Sequence, residues 1–546
     1  MENTQIPIKI RGVFPIQNGA TVYKSFDYYD NELIKSIKEG SNLIEYHYLG
    51  NEYISRVEYT IGTNAPTSIE YVPDDIYRTK EIKKNDVPIA SFQYDPYGLP
   101  KAHSYQNGSS ISMQYDRSRL SSYTLENKPG QQLEKYDFGY DKNHNINKIV
   151  SNSGITEYEY DELNQLKIEK LPDGTIISYE YDEVGNRKKK STTVAGHTTT
   201  VNYEYDGANQ LKKVNGQDYD YEYDKNGNLQ SDGVRTYLFD NFNQLKEIKD
   251  SNKETIVSYT YDEEGKRKSS TISGKTIQYF YDGDQVLYET DGDNQVLREY
   301  TYDDNGYPLT ITTNGETYYY LINYHGDVVA LTDKNGDVVA SYSYDIWGNI
   351  LNQTGPLASE NPYRYAGYRY DENTQIYYLM ARYYNPENGV FLSIDPYRGE
   401  LQDPLTLNGY SYVNNNPVNF DDPKGTLRTA VKTISKVVKQ VKKWFSRAKV
   451  GTQIGNFGKL VKNPNIKWTS SREHALNKMK QRGVKEDQVK SWIKNGKVIQ
   501  QDTETFMYVT KDGVAILNKN GVLQTAYGKD QFKDPIKNAI KQLYGE

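Results

Sequence analysis

YEYDELNQLK at residues 158–167, YEYDEVGNRK at 179–188, YEYDGANQLK at 203–212, YEYDKNGNLQ at 221–230 and YTYDEEGKRK at 259–268 are one pattern written five times. Aromatic and polar residues alternate up to each Tyr-Asp pair, as at Ile177, Tyr179 and Tyr181, the period of a half-buried strand. The Asp and the Asn/Gly that follow, such as Gly185-Asn186 or Asn226-Gly227-Asn228, are turn chemistry, so each unit predicts a hairpin. On either side of these units Tyr-Asp pairs recur about every twenty residues, from Tyr94-Asp95 to Tyr302-Asp303. Phe239-Asp240 is a variant, Tyr344-Asp345 a later copy and Tyr29-Asp30 a worn one. Stacked hairpins with no closed local core predict one long β-sheet in which each unit buries a face against its neighbours. Tyrosine suits that sheet, because its ring can pack while its hydroxyl reaches water or a polar partner. A sugar-binding surface of exposed tyrosines is the other reading of the same residues.

Composition divides the chain in two. Of 54 tyrosines, only Tyr508, Tyr527 and Tyr544 lie beyond residue 425. Formal charge is −23 up to residue 425 and +16 after it, which together make the net −7. A tail this basic points to nucleic acid or an acidic protein as partner. With no cysteine there are no disulfides, no thiolate nucleophile and no Cys-ligated zinc. No run approaches the length of a transmembrane helix, and MENTQIPIKIRG lacks the charged-then-apolar layout of a signal peptide. The expectation is export by another route, or a fragment whose export domains lie elsewhere.

Residues 363–425 contain YRYAGYRYDENTQIYYLMARYYNPENGVFLSIDPYRGE and then NGYSYVNNNPVNFDDPKG. This stretch resembles the repeat-associated core of the Rhs/YD-repeat family of polymorphic toxins, which includes the WapA type of bacilli. The resemblance implies that 1–362 winds into a spiral shell of hairpins, that 363–425 plugs it, and that a variable toxin follows. It also implies self-cleavage at the core–toxin junction by two aspartates, which here match Asp395 in SIDPYRGE and Asp422 in DDPKG, with a cut after Gly425 or Thr426. Thr426 stands where the family has an apolar residue, and Asp421 doubles the acid. Two carboxylates brought together can share a proton, one as acid and one activating water. Asp-Pro as turn punctuation is the plain alternative.

After Gly425 the pattern changes. Residues 426–450 form a basic linker, in which 428–449 carries eight Lys/Arg and no acid, with Val431, Ile434, Val438, Val441 and Trp444 at helical spacing. A basic amphipathic helix follows, serving membrane or RNA contact or simply as a connector. Residues 451–546 predict a compact α+β domain. Ser470 with Glu473 reads as a capping box for a helix that stops at Gly483. A second helix is predicted over 486–494, then strands at 497–500, 506–510, 514–518 and 522–527, and a last helix opened by Asp534-Pro535.

Helices followed by an antiparallel sheet resemble the metal-independent ribonucleases typified by barnase, RelE and the tRNA-cleaving colicins. Elimination points the same way. Residues 426–546 hold one histidine, His474, too few for a zinc deaminase, an HNH site or a two-histidine ribonuclease. The scattered acids do not suggest a two-metal nuclease, so no metal or cofactor is expected. His474, Lys478 and Arg482 fall at i, i+4 and i+8 along one helix edge, with Ala475, Leu476 and Met479 toward the packed side. Thr525 and Tyr527 alternate to one face of the last strand. The assignment is His474 as general base or acid, Lys478 and Arg482 on the scissile phosphate, and Thr525 and Tyr527 as hydrogen-bond donors. Against it, His474 can be an ordinary polar residue and Arg482 a charge near a helix C-terminus. Trp468 and Trp492 read as core.

The expected function is a contact-dependent antibacterial toxin with a shell-encased tRNA nuclease, secreted or cell-wall associated in the producer and acting in the target cytoplasm. Its partners would be RNA, an acidic immunity protein and a delivery machinery. The competing readings are a YD-repeat surface or adhesion protein with a non-enzymatic binding tail, and a DNase or membrane-active tail.

Overall fold

A computed structural model describes residues 24–430 and 453–543, save 32, 50–52, 219, 398, 400–403, 427–428, 455–456, 462, 465, 472, 533–535, 538 and 541–542. The chain separates into two compact units, one of residues 1–95 and 100–434 and the other of 96–99 and 435–546.

Among the described residues the first unit is β-structure with three short 3-10 turns. Each strand from Lys24–Tyr28 to Leu211–Val214 pairs antiparallel with its sequence neighbours in an 18-stranded meander, and a 14-stranded one follows from Glu222–Tyr223 to Ile350–Thr354. The Tyr-Asp pair has two separable jobs. Aspartate closes its own turn: Asp182 Oδ1 accepts the backbone N–H groups of Val184 and Asn186, and Oδ2 accepts the Asn186 side-chain amide. Asp161, Asp224 and Asp345 repeat that three-bond arrangement with Gln165, Asn228 and Asn349. The turn needs one left-handed residue, Asn164 in one repeat (φ 61°) and Gly185 in the next (φ 82°). Gly185 is also required sterically, since a Cβ there would meet Leu405 Cδ2 at 2.9 Å.

Tyrosine fastens its unit to the one before. Tyr181 Oη donates to the Leu166 carbonyl at 2.7 Å, Tyr160 to Ile146 at 2.6 Å, Tyr261 to Leu245 at 2.6 Å and Tyr302 to Val286 at 2.7 Å. Each hydroxyl thus caps the strand that leaves the preceding turn. A net contribution near 1 kcal/mol per bond, added to ring burial, makes the repeat self-stacking. The ribbon also returns on itself: Lys128 meets Asp337, Tyr123 Oη donates to the Ile322 carbonyl and Lys24 meets Glu264, at sequence separations of 209, 199 and 240. This is a spiral wall.

The plug is a four-stranded sheet, Arg369–Asp371, Ile376–Leu379, Arg382–Asn385 and Val390–Phe391, carrying Tyr377 and Tyr384 fully buried. Ion pairs tie it to the wall. Arg369 reaches Glu289, which also binds Arg298 at 2.7 Å, and Arg267 pairs with Asp371 at 2.6 Å. Burial opposes ionisation of Glu289, but the two guanidinium groups prevail and hold it at about 2. A run of asparagines then reads the repeat turns singly. Asn408 donates to Asn186, Asn415 to Gln165 and the Gly185 carbonyl, Asn416 to the Asn164 carbonyl, and Asn419 to Tyr160 Oη.

The second unit is a seven-stranded sheet with helices Glu473–Gln481 and Glu486–Asn495. Ala475, Met479, Val489 and Trp492 pack on one face of the sheet. Helical residues Ile536, Ala539, Ile540 and Leu543 belong to a separate cluster with Ile499, Met507 and Val514. The predicted opening of that helix at Asp534-Pro535 lies outside the described residues.

Several expectations are corrected. Strands Gln453–Ile454, Gly458–Val461 and Ser470–Ser471 join the four predicted ones. They are too short to show a period of their own and exist through their neighbours. Ser470 is no helix cap: it pairs in parallel with Val522, and the helix begins at Glu473. Leu476 is 37 % exposed rather than packed. The predicted helix over 428–449 starts instead as a strand, Thr429–Ala430, paired with Phe420–Asp421; from residue 431 the basic helix lies outside the described residues.

Candidate functional site

Two places gather chemistry, one in each unit. The first surrounds the peptide bond between Gly425 and Thr426. Arg382, 3 % exposed, stands in the middle of the apolar run YYLMARYY. Its Nε donates to the Gly425 carbonyl, Nη1 to the Gly409 carbonyl at 2.8 Å, and Nη2 to Asp395 Oδ2 at 2.6 Å. The same Nη2 lies 3.6 Å from Asp422 Oδ2. From the other side of the bond, the Thr426 N–H donates to Asp422 Oδ1 at 3.0 Å. One guanidinium therefore holds the carbonyl oxygen and faces both carboxylates, while one carboxylate holds the amide nitrogen. Burial pushes the Asp395 carboxyl up to about 6; Arg382 opposes that shift and Asp422 adds to it.

The turn that carries the bond is tightly constrained. Gly425 has φ 67°, and a Cβ there would come 2.5 Å from the Leu379 carbonyl oxygen. Asp422 itself is 2 % exposed, with its backbone N–H donating to Tyr368 Oη at 2.6 Å. Asp395 and Asp422 are both aspartates expected from the sequence. Arg382 and Tyr368 were not anticipated. A cation inside an apolar, tyrosine-rich run was the available signal, because a buried charge must have partners.

The second place is in the tail unit. Arg482 follows the last turn of the helix Glu473–Gln481 rather than lying within it, and Gly483 (φ 66°) ends the helix with the Val484 N–H returning to the Met479 carbonyl at 3.0 Å. From there Arg482 Nη1 donates to Thr525 Oγ1 at 3.3 Å and to the Ala526 carbonyl at 3.1 Å, with the guanidinium 5.6 Å from the Tyr527 ring centroid. Three of the five expected tail residues thus share one patch. Burial raises the Tyr527 hydroxyl above its ordinary range, with Arg482 opposing. Lys478 is half-buried on the same helix; the His474 side chain lies outside the described residues. Trp492 is core, 5 % exposed, and half-buried Trp468 donates to Ser471 Oγ at 2.9 Å.

A spiral of stacked Tyr-Asp hairpins around a tyrosine-rich plug defines a YD-repeat shell protein. The chain belongs to the teneurin YD-shell family, whose model matches residues 101–418 and so ends before the tail. It is similar to the tRNA nuclease WapA of Bacillus subtilis (strain 168), 41 % identical over 82 % of this chain and 20 % of that protein. It is also similar to the tRNA(Glu)-specific nuclease WapA of Bacillus subtilis subsp. natto (strain BEST195), 43 % identical over 76 % of this chain and 18 % of that one. The chain spans about one fifth of the length of these curated relatives. Among solved structures, that of TcdB2-TccC3-Cdc42 shares the fold, with a TM-score of 0.56 and 16 % identity over 77 % of this chain and 22 % of that one. Among the described residues no helix is long and apolar enough to cross a membrane.

Proposed function

We propose that this chain forms the shell and tail of a polymorphic toxin, that it cuts itself behind Gly425, and that the tail is a metal-independent ribonuclease acting on tRNA. The carrying observation is the hold on one peptide bond: Arg382 on the Gly425 oxygen and Asp422 on the Thr426 nitrogen, with Asp395 on the same guanidinium.

The chemistry follows from that hold. Water adds to the Gly425 carbonyl carbon and gives a proton to the Asp395 carboxylate, whose raised affinity near pH 6 suits a base. Arg382 stabilises the oxyanion that forms. As the C–N bond breaks, the Thr426 nitrogen takes a proton from the Asp422 carboxyl. The pair begins and ends with one proton, moved from Asp422 to Asp395.

In the tail, His474 takes the ribose 2′-OH proton as the 2′-oxygen bonds to phosphorus, and the P–O5′ bond breaks as the leaving 5′-oxygen takes a proton from water. Among the described residues Arg482 makes two side-chain bonds, both from Nη1 to the last strand, and its remaining donors, with Lys478 and the hydroxyls of Thr525 and Tyr527, are assigned to the phosphate charge. The names of the WapA relatives support tRNA as the substrate class. A tail of +16 calls for an acidic immunity protein in the producer. Delivery to a target-cell cytoplasm from a secreted or wall-bound shell completes the reading.

Inducible expression of residues 451–546 in bacteria, followed by sequencing of RNA ends, tests the nuclease. New tRNA ends within minutes, reproduced with purified protein in EDTA, are expected; intact transcripts in growing cells would sink it.

A further inference from the structure

Behind the junction two tyrosines meet through their hydroxyls. Tyr368 Oη accepts the backbone N–H of Asp422 at 2.6 Å and lies 3.0 Å from Tyr412 Oη. Neither ring is free to turn. Tyr368 packs edge-on against Tyr365 and Tyr377, while Tyr412 stacks on Tyr384 at 4.3 Å, and both are buried. Phenylalanine would fill the same volume, so the hydroxyls need a separate reason. The wall offers one general reason, because its tyrosines cap backbone carbonyls of neighbouring repeats. Tyr368 differs: its oxygen accepts, and what it accepts is the N–H of the residue whose carboxylate holds the Thr426 nitrogen.

We propose that Tyr368, backed by Tyr412, is a positioning residue for scission of the Gly425–Thr426 bond. This rests on the self-cleavage reading above. The Asp422 backbone has no side-chain freedom to spare, since its N–H is pinned by Tyr368 and its Oδ1 is engaged 3.0 Å from the Thr426 nitrogen. Fixing the backbone on one side fixes the carboxylate on the other. Removing the Tyr368 oxygen leaves a buried N–H without its acceptor, and the peptide shifts to find another. A displacement near 1 Å at a proton donor costs about 100-fold in rate.

The test follows self-cleavage of the full chain on denaturing gels after cell-free synthesis, from pH 5 to pH 8. Tyr368→Phe is expected to slow scission about 10–100-fold while the acid-side midpoint, which Asp395 sets, stays where it is, because the change reaches the reaction through the Asp422 backbone and not through Asp395. Tyr412→Phe keeps the acceptor and loses only its support, so a smaller slowing is expected; it decides the matter if Tyr368→Phe does not fold. Tyr302→Phe is the control. It removes a buried hydroxyl 2.8 Å from that of Tyr363, the same kind of pair away from the junction. If Tyr368→Phe matches Tyr302→Phe in rate, or is slow with the Asp395 midpoint moved as well, as a general opening of the buried junction would make it, the positioning role is overturned. Two further results separate the ideas: a wild-type chain that stays uncut would end the self-cleavage reading itself, whereas cleavage that persists in Asp422→Asn would remove Asp422, and Tyr368 with it, from the reaction.

Discussion

The side-chain amide of Asn415 donates to the carbonyl of Gly185, 230 residues earlier, at 2.7 Å, and to Gln165 Oε1 at 2.9 Å. A single plug residue thereby joins two consecutive repeat turns. The plug is held by such turn-by-turn contacts as much as by its buried rings, and its neighbours Asn408, Asn416 and Asn419 continue the series.

Asn415→Ala should therefore destabilise the shell by about 1–3 kcal/mol, because the Gly185 carbonyl is left buried without its donor. Denaturant unfolding of the full chain, followed by tyrosine fluorescence, measures this. A change within a few tenths of a kcal/mol would mean that the ring packing alone seats the plug.

Arg382→Lys keeps the charge and should still slow self-cleavage at least about 100-fold. One ammonium cannot hold the Gly425 carbonyl, the Gly409 carbonyl and two carboxylates in a fixed fork. Time courses on denaturing gels give the rate, and wild-type kinetics would remove Arg382 from the reaction.

Asp395 makes scission depend on pH. Its carboxyl sits at about 6, raised first by burial, so below pH 6 it carries a proton and cannot take one from water. The rate should fall as pH drops through 6, by about tenfold per unit at the acid end. A flat profile between pH 5 and pH 7.5 would show that Asp395 is not the base.

Glu169, 5 % exposed inside the wall, has its carboxyl raised to about 8 by burial and, secondarily, by Asp345. The unfolded chain releases this proton near pH 4.5 and the folded one near 8, so wild-type stability declines across that window as pH rises. Glu169→Gln should match wild type near pH 4 and exceed it by on the order of a few kcal/mol near pH 9. Parallel unfolding curves at the two pH values decide it.

In the tail, Arg482→Ala and His474→Ala should each lower RNA cleavage by about 10²–10⁴-fold with the fold retained. Circular dichroism checks the fold and labelled tRNA the activity. Full activity in both would leave the patch at Thr525 and Tyr527 a packing contact only.

How much was legible differs along the chain. In the wall, the alternation to Tyr181 and the turn at Asp182–Asn186 are local features, and the residues that make each hairpin lie within ten of one another. In the tail, the strand Lys497–Gln500 and the helix from Glu486 were readable for the same reason. Ser470 misled because a serine three residues before a glutamate looks like a cap whether or not the backbone is extended, and its pairing with Val522 lies 52 residues on. Asp395 and Asp422 could be picked out by motif, but Arg382 could not be joined to them, nor Tyr368 to Asp422.

The repeat and its hairpin chemistry are set by residues within one turn of each other, and the two-part composition by residue counts alone, so all three are readable without a fold. Tertiary structure alone decided which carbonyl each tyrosine caps, which turn each plug asparagine reads, and that Arg382 faces both aspartates across the Gly425–Thr426 bond. The reason is physical: buried charges and amides are satisfied by whatever the winding of the wall brings near them, and that winding joins residues some 200 positions apart.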